Sequence, residues 1–511
     1  MINPTGAMRM LITYAVCIPV AIVVGYLLTD PLDYGTLGFL GLLIAILVSP
    51  IFIRWYYPIL LFGLACPAIC FFIIGKPPLS QVVVIISLMV AVTERILNSE
   101  KKFIKVPAMT WALLFIAATV YMTAELNGGI GLHSLGGDTG GGRKYIDIFI
   151  GVGVYFALTS QIIAPRRRNL YLMLSMLPGL LGMISNLFPF LPSPLNEINL
   201  LFPPTMNFDQ DISIGTTRLT TFSFAISTIM FYMLARYGLR GIFSARYPWR
   251  GLFFVASFLL SMLGGYRNTL AGMVLTLTLI FFLDGLHRTR LLPVIILGGI
   301  LGFAVLATCS NKLPYTFQRS MSFLPLKWDQ AVILDAQGSS EWRFRIWRAV
   351  WPQVPEHLLL GKGCVITKED YEMIGNGQFA TSQAAHMDAS EEALALSGDY
   401  HSGPLSTLIP FGIWGVIGIL WLMGATYFVV YRNYKFGDPE LRTFNIYMLA
   451  TCISSIIGFF FVFGAFTGAI GGYGGMAGFS LAMNGGLAKR PAKTVSNPRI
   501  KPLSAESPHP A

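Results

Sequence analysis

Charge is scarce in this sequence, and the scarcity excludes most of what a chain of 511 residues can be. Only 12% of its residues are charged while 54% are apolar, against about 25% charged in ordinary soluble domains. A soluble core cannot take up that much hydrophobic surface, so soluble globular classes are out. Cysteine is scarce too. Of six, Cys17, Cys66, Cys70 and Cys452 sit in apolar stretches, where a thiol behaves as a small hydrophobe. Cys309 and Cys364 fall in a polar segment, and a disulfide between them stays open because sequence does not give their separation. No CxxC or HExxH occurs, so zinc spacing is absent. The run Gly136–Gly142 (GGDTGGG) lacks the GK[ST] of a P-loop. No small-residue cleavage site follows the first apolar run, so no cleavable signal peptide is expected.

Long apolar runs are abundant, and each is close to the roughly 20 residues that cross a bilayer as a helix. We place fourteen: near 11–28, 36–53, 56–74, 81–97, 108–124, 146–163, 169–190, 219–237, 250–265, 268–284, 291–308, 404–430, 444–463 and 465–483. The expected fold is therefore an all-α polytopic membrane protein of about 12–14 transmembrane helices. The glycine-rich last run, GAFTGAIGGYGGMAGFS, suits close helix contact.

Basic residues fall unevenly on the two sides of these spans. Loops of one parity hold 23 of the 36 Lys and Arg, and by the positive-inside rule that side is cytoplasmic, with both termini on it. The net charge of +11 is mainly this topology signal and not a nucleic-acid footprint, because no basic patch is interleaved with aromatics in a soluble domain. The chain then divides into membrane helices over 1–308, an outward loop subdomain over 309–403, membrane helices over 404–488 and a disordered cytoplasmic tail over 489–511. The loop is too long to be a mere link.

The polar stretch from Ser339 to Pro410 is where chemistry is expected. Arg343 and Trp347 lie four apart on a predicted helix opened by Ser339 or Ser340 and closed before Pro352, so they share a face. Trp342, Trp347 and Trp351 with Arg345 and Arg348 suit a helix at the membrane interface, and arginine forks also match phosphate bidentately. His401 stands just before the span opened by Pro404. An imidazole there can take a proton from a sugar hydroxyl, and Asp399 is a candidate to orient it. Arg267 is flanked directly by two spans, a costly place unless it is paired, functional or snorkelling. Arg143, beside Lys144 at a span start, is a candidate for lipid headgroups or a carrier phosphate. Asp209 and Asp211 form a lone DxD, which carries little weight.

The residues Arg343, Trp347, Pro355, Glu356, His357, Leu360, Gly361 and Gly363 resemble the R-x-x-x-W...P-L-x-G-x-G signature of the O-antigen ligase and polymerase superfamily. His401, Ser402 and Gly403 leading to Phe411–Gly415 (FGIWG) resemble its H-N-x-x-L...G-x-x-G segment. Arg267 after Gly265 and Tyr266 resembles its x-R motif, and Arg218–Phe222 (RLTTF) its R-x-x-G-x-F element. The likeness spans roughly residues 210–430. Ser402, Thr220 or Thr221, and Leu358 depart from the asparagine, glycine and proline common there.

The resemblance implies a C-type glycosyltransferase-like bundle with one large periplasmic loop, in the bacterial inner membrane. It implies a metal-independent, inverting transfer of a glycan from a polyprenyl diphosphate carrier to an acceptor hydroxyl on the periplasmic face. His401, Arg343 and Arg267 would be catalytic, with Arg218, Trp347, Arg345 and Arg143 binding substrate. No cofactor or metal is called for. Partners would be the lipid-linked glycan donor, a lipid or glycan acceptor and membrane lipids, with no nucleic acid. The motifs fit ligase and polymerase alike. A polysaccharide or lipid-linked sugar transporter also fits the span count, but predicts charges at the membrane midplane.

Overall fold

Run length, proline and glycine decide where the helices start, stop and break. The computed structural model describes residues 4–27, 34–73, 75–100, 102–128, 141–187, 192–203, 218–365, 398 and 400–490. The helices are α1 Pro4–Leu27, α2 Tyr34–Ala65, α3 Leu79–Leu97, α4 Pro107–Asn127, α5 Gly142–Leu158, α6 Arg168–Leu174, α7 Ile184–Leu187, α8 Thr220–Ile242 and α9 Pro248–Ser261. They continue as α10 Arg267–Leu283, α11 Leu291–Cys309, α12 Tyr315–Met321, α13 Gln330–Val350, α14 Gln353–His357, α15 Gly403–Phe436, α16 Arg442–Phe461 and α17 Phe466–Asn484. No strand occurs among the described residues.

Seven helical segments among them are long and apolar enough to cross a membrane, and Pro50–Ala65, Pro248–Gly264 and Arg267–Leu283 are shorter apolar helices. The protein is an all-α polytopic membrane protein. Several expected spans differ in form. The two expected at 36–53 and 56–74 are one helix broken at Trp55 (φ −119°, ψ 15°), and it ends at Ala65. The one expected at 169–190 is divided among α6, a 3₁₀ turn over Leu177–Met183 and α7, where Pro178 and Gly179 interrupt regular helix. Cys309 and Cys364 are free thiols, the first exposed and the second buried.

Two apolar cores hold the bundle. One gathers α2, α3, α8, α10 and α16, and the other α4, α5, α15 and α17. The glycine-rich α17 packs closely on α5, where a Cβ at Gly151 would stand 3.1 Å from the Gly471 amide. That is the backbone approach that small residues permit.

The expected interfacial helix is present but opens earlier. It runs from Gln330, with Asp329 in the N-cap position, so Ser339 and Ser340 lie mid-helix. Nothing in Gln330–Gly338 (QAVILDAQG) breaks a helix, and Val332 and Ala336 are buried. A third, small core fastens α13 to the start of α15 through Ile346, Val350, Tyr400, Leu405 and Ile409. That contact brings the polar face of α13 to the residues just ahead of α15.

Candidate active site

Three helix starts, the short α12 and the long α13 surround a cleft of about 880 Å³. Arg218 stands two residues ahead of α8, and Arg267 is the first residue of α10, following a turn in which Gly265 takes φ +68°. Arg319 comes from α12, Asp335, Arg343 and Arg345 from α13, and His401 from the segment entering α15; all line the cleft.

Asp335 is the hub of its polar wall. Its Oδ2 accepts from Arg218 Nη2 at 3.0 Å, Arg319 Nε at 2.6 Å and the Tyr315 hydroxyl at 2.6 Å. Arg319, whose side chain is 7% exposed, also donates from Nη1 to the Gly265 carbonyl at 2.6 Å, so one guanidinium ties the α10 turn to α13. Arg267 Nη2 donates to the Ala336 carbonyl at 2.8 Å and to Ser340 Oγ at 3.2 Å. The carbonyl that Arg267 takes is also bonded by Ser340, four residues along the helix. Arg343 points into the same space, and its buried Nε has no hydrogen-bond partner among the described residues.

Five guanidiniums against one carboxylate leave the lining strongly positive. Burial works to raise the Asp335 pKa, but hydrogen bonds from Arg319 and Tyr315 and the charges of Arg319 and Arg218 outweigh it and hold the carboxyl below its ordinary value. Burial, then the bond to Asp335 and its charge, push the Tyr315 phenol up to about 12. Burial and the charge of Arg319 lower the Arg343 pKa, yet a guanidinium stays protonated through such a shift. The cleft thus presents fixed cationic donors, the arrangement that stabilises a developing anion.

His401 is held in an unusual way. Its backbone is left-handed, at φ +52°, a conformation that costs a non-glycine residue about 1–3 kcal/mol and that histidine tolerates better than most. The ring sits edge-on between Trp342 and Phe463, with centroids 5.0 and 4.8 Å away. Just ahead of it, Tyr400 is fully buried; its carbonyl accepts from Trp347 Nε1 at 2.8 Å and its amide donates to Ser406 Oγ at 2.9 Å. The strained turn is therefore over-determined by bonds from α13 and α15.

Of the residues singled out from sequence, the fold brings Arg218, Arg267, Arg343, Arg345 and His401 to one cleft. Trp347 does not line it and instead fixes the backbone ahead of His401. Arg143 does not line it either; it lies in the first turn of α5, near Asp147. Asp399, Asp209 and Asp211, Gly136–Gly140 and the tail from 491 lie outside the described residues. Sequence reasoning missed Arg319, Tyr315, Asp335 and Phe463. No local signal picks them out: Arg319 and Tyr315 lie on a short helix in a polar segment, and Asp335 follows on the next.

Fold and cleft together define a polytopic helical membrane protein with an arginine-rich cleft closed over by an amphipathic helix. Residues 252–420 match the family model described as O-antigen ligase, and this supports membership of the O-antigen ligase superfamily. The matched stretch contains every cleft residue named above from Arg267 to His401 and leaves out Arg218. No curated protein matches the chain.

Proposed function

We propose that the protein is a membrane glycosyltransferase that moves a glycan from a polyprenyl diphosphate carrier to an acceptor hydroxyl at the periplasmic face of a bacterial inner membrane. The observation that carries this reading is the convergence of five arginines and His401 on one cleft. A diphosphate leaving group needs dense cationic donors, and planar guanidiniums meet its oxygens in pairs.

In this reading Arg267 and Arg343 hold the diphosphate, with Arg218 and Arg345 completing its anion shell. His401 accepts the proton of the acceptor hydroxyl as that oxygen attacks the anomeric carbon from the face opposite the carrier. The glycosidic bond to the diphosphate breaks with inversion, and the arginines take up the charge that develops on the departing oxygen. The carboxylate of Asp335 orients Arg218 and Arg319 and touches no substrate. No step calls for a metal, so transfer is expected to survive chelation with EDTA.

The test is transfer in proteoliposomes from a polyprenyl diphosphate glycan to candidate lipid and glycan acceptors. His401→Ala should lower the rate by about 10²–10⁴-fold, the range for removing a general base. Arg343→Ala should lower it by about 10²-fold, and Arg343→Lys should restore little of that, because an ammonium has no fork. Undiminished transfer in both alanine variants would sink the assignment of roles.

A further inference from the structure

A second cavity, of about 750 Å³, opens between α3, α4 and α5 and shares no residue with the arginine cleft. Most of it is apolar, lined by Leu88, Val92, Trp111 and Phe156 among others. Its polar groups gather at one end, where α3 finishes, α4 begins and α5 finishes. Arg95 lies in the last turn of α3, and Lys105 precedes α4 by two residues. The Arg95 guanidinium rests on the Phe103 ring, 5.5 Å from its centroid. No carboxylate lines the groove among the described residues.

Tyr155 adds an independent observation. The residue is 1% exposed and lines this cavity, yet its hydroxyl makes no hydrogen bond among the described residues. The Thr110 hydroxyl beside it donates to the Val106 carbonyl at 3.3 Å. A buried hydroxyl left without an acceptor costs about 1–3 kcal/mol; Thr110 Oγ1 is the protein oxygen within its reach, and a ligand oxygen would compete with it for the Tyr155 proton. Tyr155 lies one helical turn inward from Thr159, about 6 Å along α5.

We infer that this groove binds one glycerophospholipid with an anionic headgroup. From the end inward the groove offers two cations, then a hydroxyl, then apolar walls. A phospholipid presents its groups in the same order: phosphate, ester carbonyl, acyl chain. Arg95 and Lys105 take the phosphate, Tyr155 donates to the ester carbonyl, and the chain lies against Leu88, Val92 and Phe156. Two unopposed cations select an anionic headgroup over a zwitterionic one, whose ammonium would find no carboxylate here.

Native mass spectrometry of the delipidated full chain with added phosphatidylglycerol tests this. One lipid should stay bound per chain, with phosphatidylcholine retained far less. Arg95→Gln with Lys105→Gln should lower retention by roughly twenty- to thirty-fold, the effect of losing two cations beside an anionic headgroup. Val92→Trp should displace the lipid by filling the apolar part while leaving both cations in place. Lys435→Gln, an exposed cation elsewhere, should change nothing. The inference is overturned if the paired variant and Val92→Trp retain lipid like the wild type, or if Lys435→Gln loses as much. It is also overturned if inorganic phosphate alone stabilises the protein as much as the lipid does.

Discussion

Asp335 decides how the cleft is built, because three donors from two segments, Arg218 ahead of α8 and Tyr315 and Arg319 on α12, meet on one of its oxygens. Removing its charge leaves Arg319, which is almost fully buried, without its counter-ion. We expect Asp335→Asn to destabilise the protein by about 1–3 kcal/mol, the worth of hydrogen bonds to a charged group. Transfer should fall by about ten- to a hundred-fold as Arg218 and Arg319 lose register. The folded-state pKa of Asp335 is depressed. Its contribution is therefore fully present above the unfolded value of about 3.9 and is lost as pH falls through the lower folded one. Thermal unfolding in detergent between pH 3 and 8 should show a loss below pH 4 that is blunted in Asp335→Asn, with no difference in slope between pH 5 and 8. None of this is legible in sequence. Arg267, Arg343 and His401 stand out because charge is rare around them, whereas Asp335 and Arg319 sit among ordinary polar residues. Their meeting depends on how α12 folds back onto α13.

At the scale of elements, the break in α15 explains why two glycines sit where they do. Pro410 and Gly412 interrupt the helix, Gly412 at φ +60°, and the chain just beyond α14 docks on the interruption. The Ile413 amide donates to the Leu358 carbonyl at 2.7 Å, Lys362 to Ile409 at 2.9 Å and Gly363 to Pro410 at 2.9 Å. Backbone polar groups freed by the break are thus satisfied within the fold. Gly361 takes φ +72°, and a Cβ on it would collide with the Pro410 carbonyl oxygen; one on Gly412 would stand 2.5 Å from the Leu359 oxygen. Gly361→Ala should therefore cost about 2–3 kcal/mol, from left-handed strain together with the displaced backbone. Gly272→Ala, in α10 with nothing within 4 Å of its Cβ, should be neutral or slightly stabilising. Thermal melts of the two variants check the contrast, and equal melting would undo it. Sequence displays these glycines as a motif but gives no partner for them, since the strap and the break lie some fifty positions apart. Helix runs were easier to read. Apolar length located nearly all of them, while breaks at Trp55 and Gly238 depend on packing that no local pattern announces.

For the whole molecule, the two ends of the bundle differ in kind. One carries the arginine cleft beneath α13, and the other the ion pairs of Asp284 with Arg240 and of Arg168 with Asp438. The basic bias between alternate loops predicts that the cleft end faces outward and the ion-pair end faces the cytoplasm. A lipid-carried donor fits that orientation, because nucleotide sugars are not available outside. Cysteine labelling tests it directly in a Cys17→Ser, Cys309→Ser background, which removes the exposed native thiols. Glu341→Cys, exposed on α13, should react with a membrane-impermeant maleimide in intact cells with the outer membrane opened. Arg246→Cys, exposed between α8 and α9, should react only once the inner membrane is permeabilised as well. The opposite pattern would place the arginine cleft in the cytoplasm and remove the physical case for a donor delivered on a lipid. With Glu341→Cys outside, the cleft, α13 above it and the helix starts of α8, α10 and α15 beneath it form one outward-facing unit. A diphosphate carrier then has to enter from the plane of the membrane, the only direction in which its lipid stays out of water.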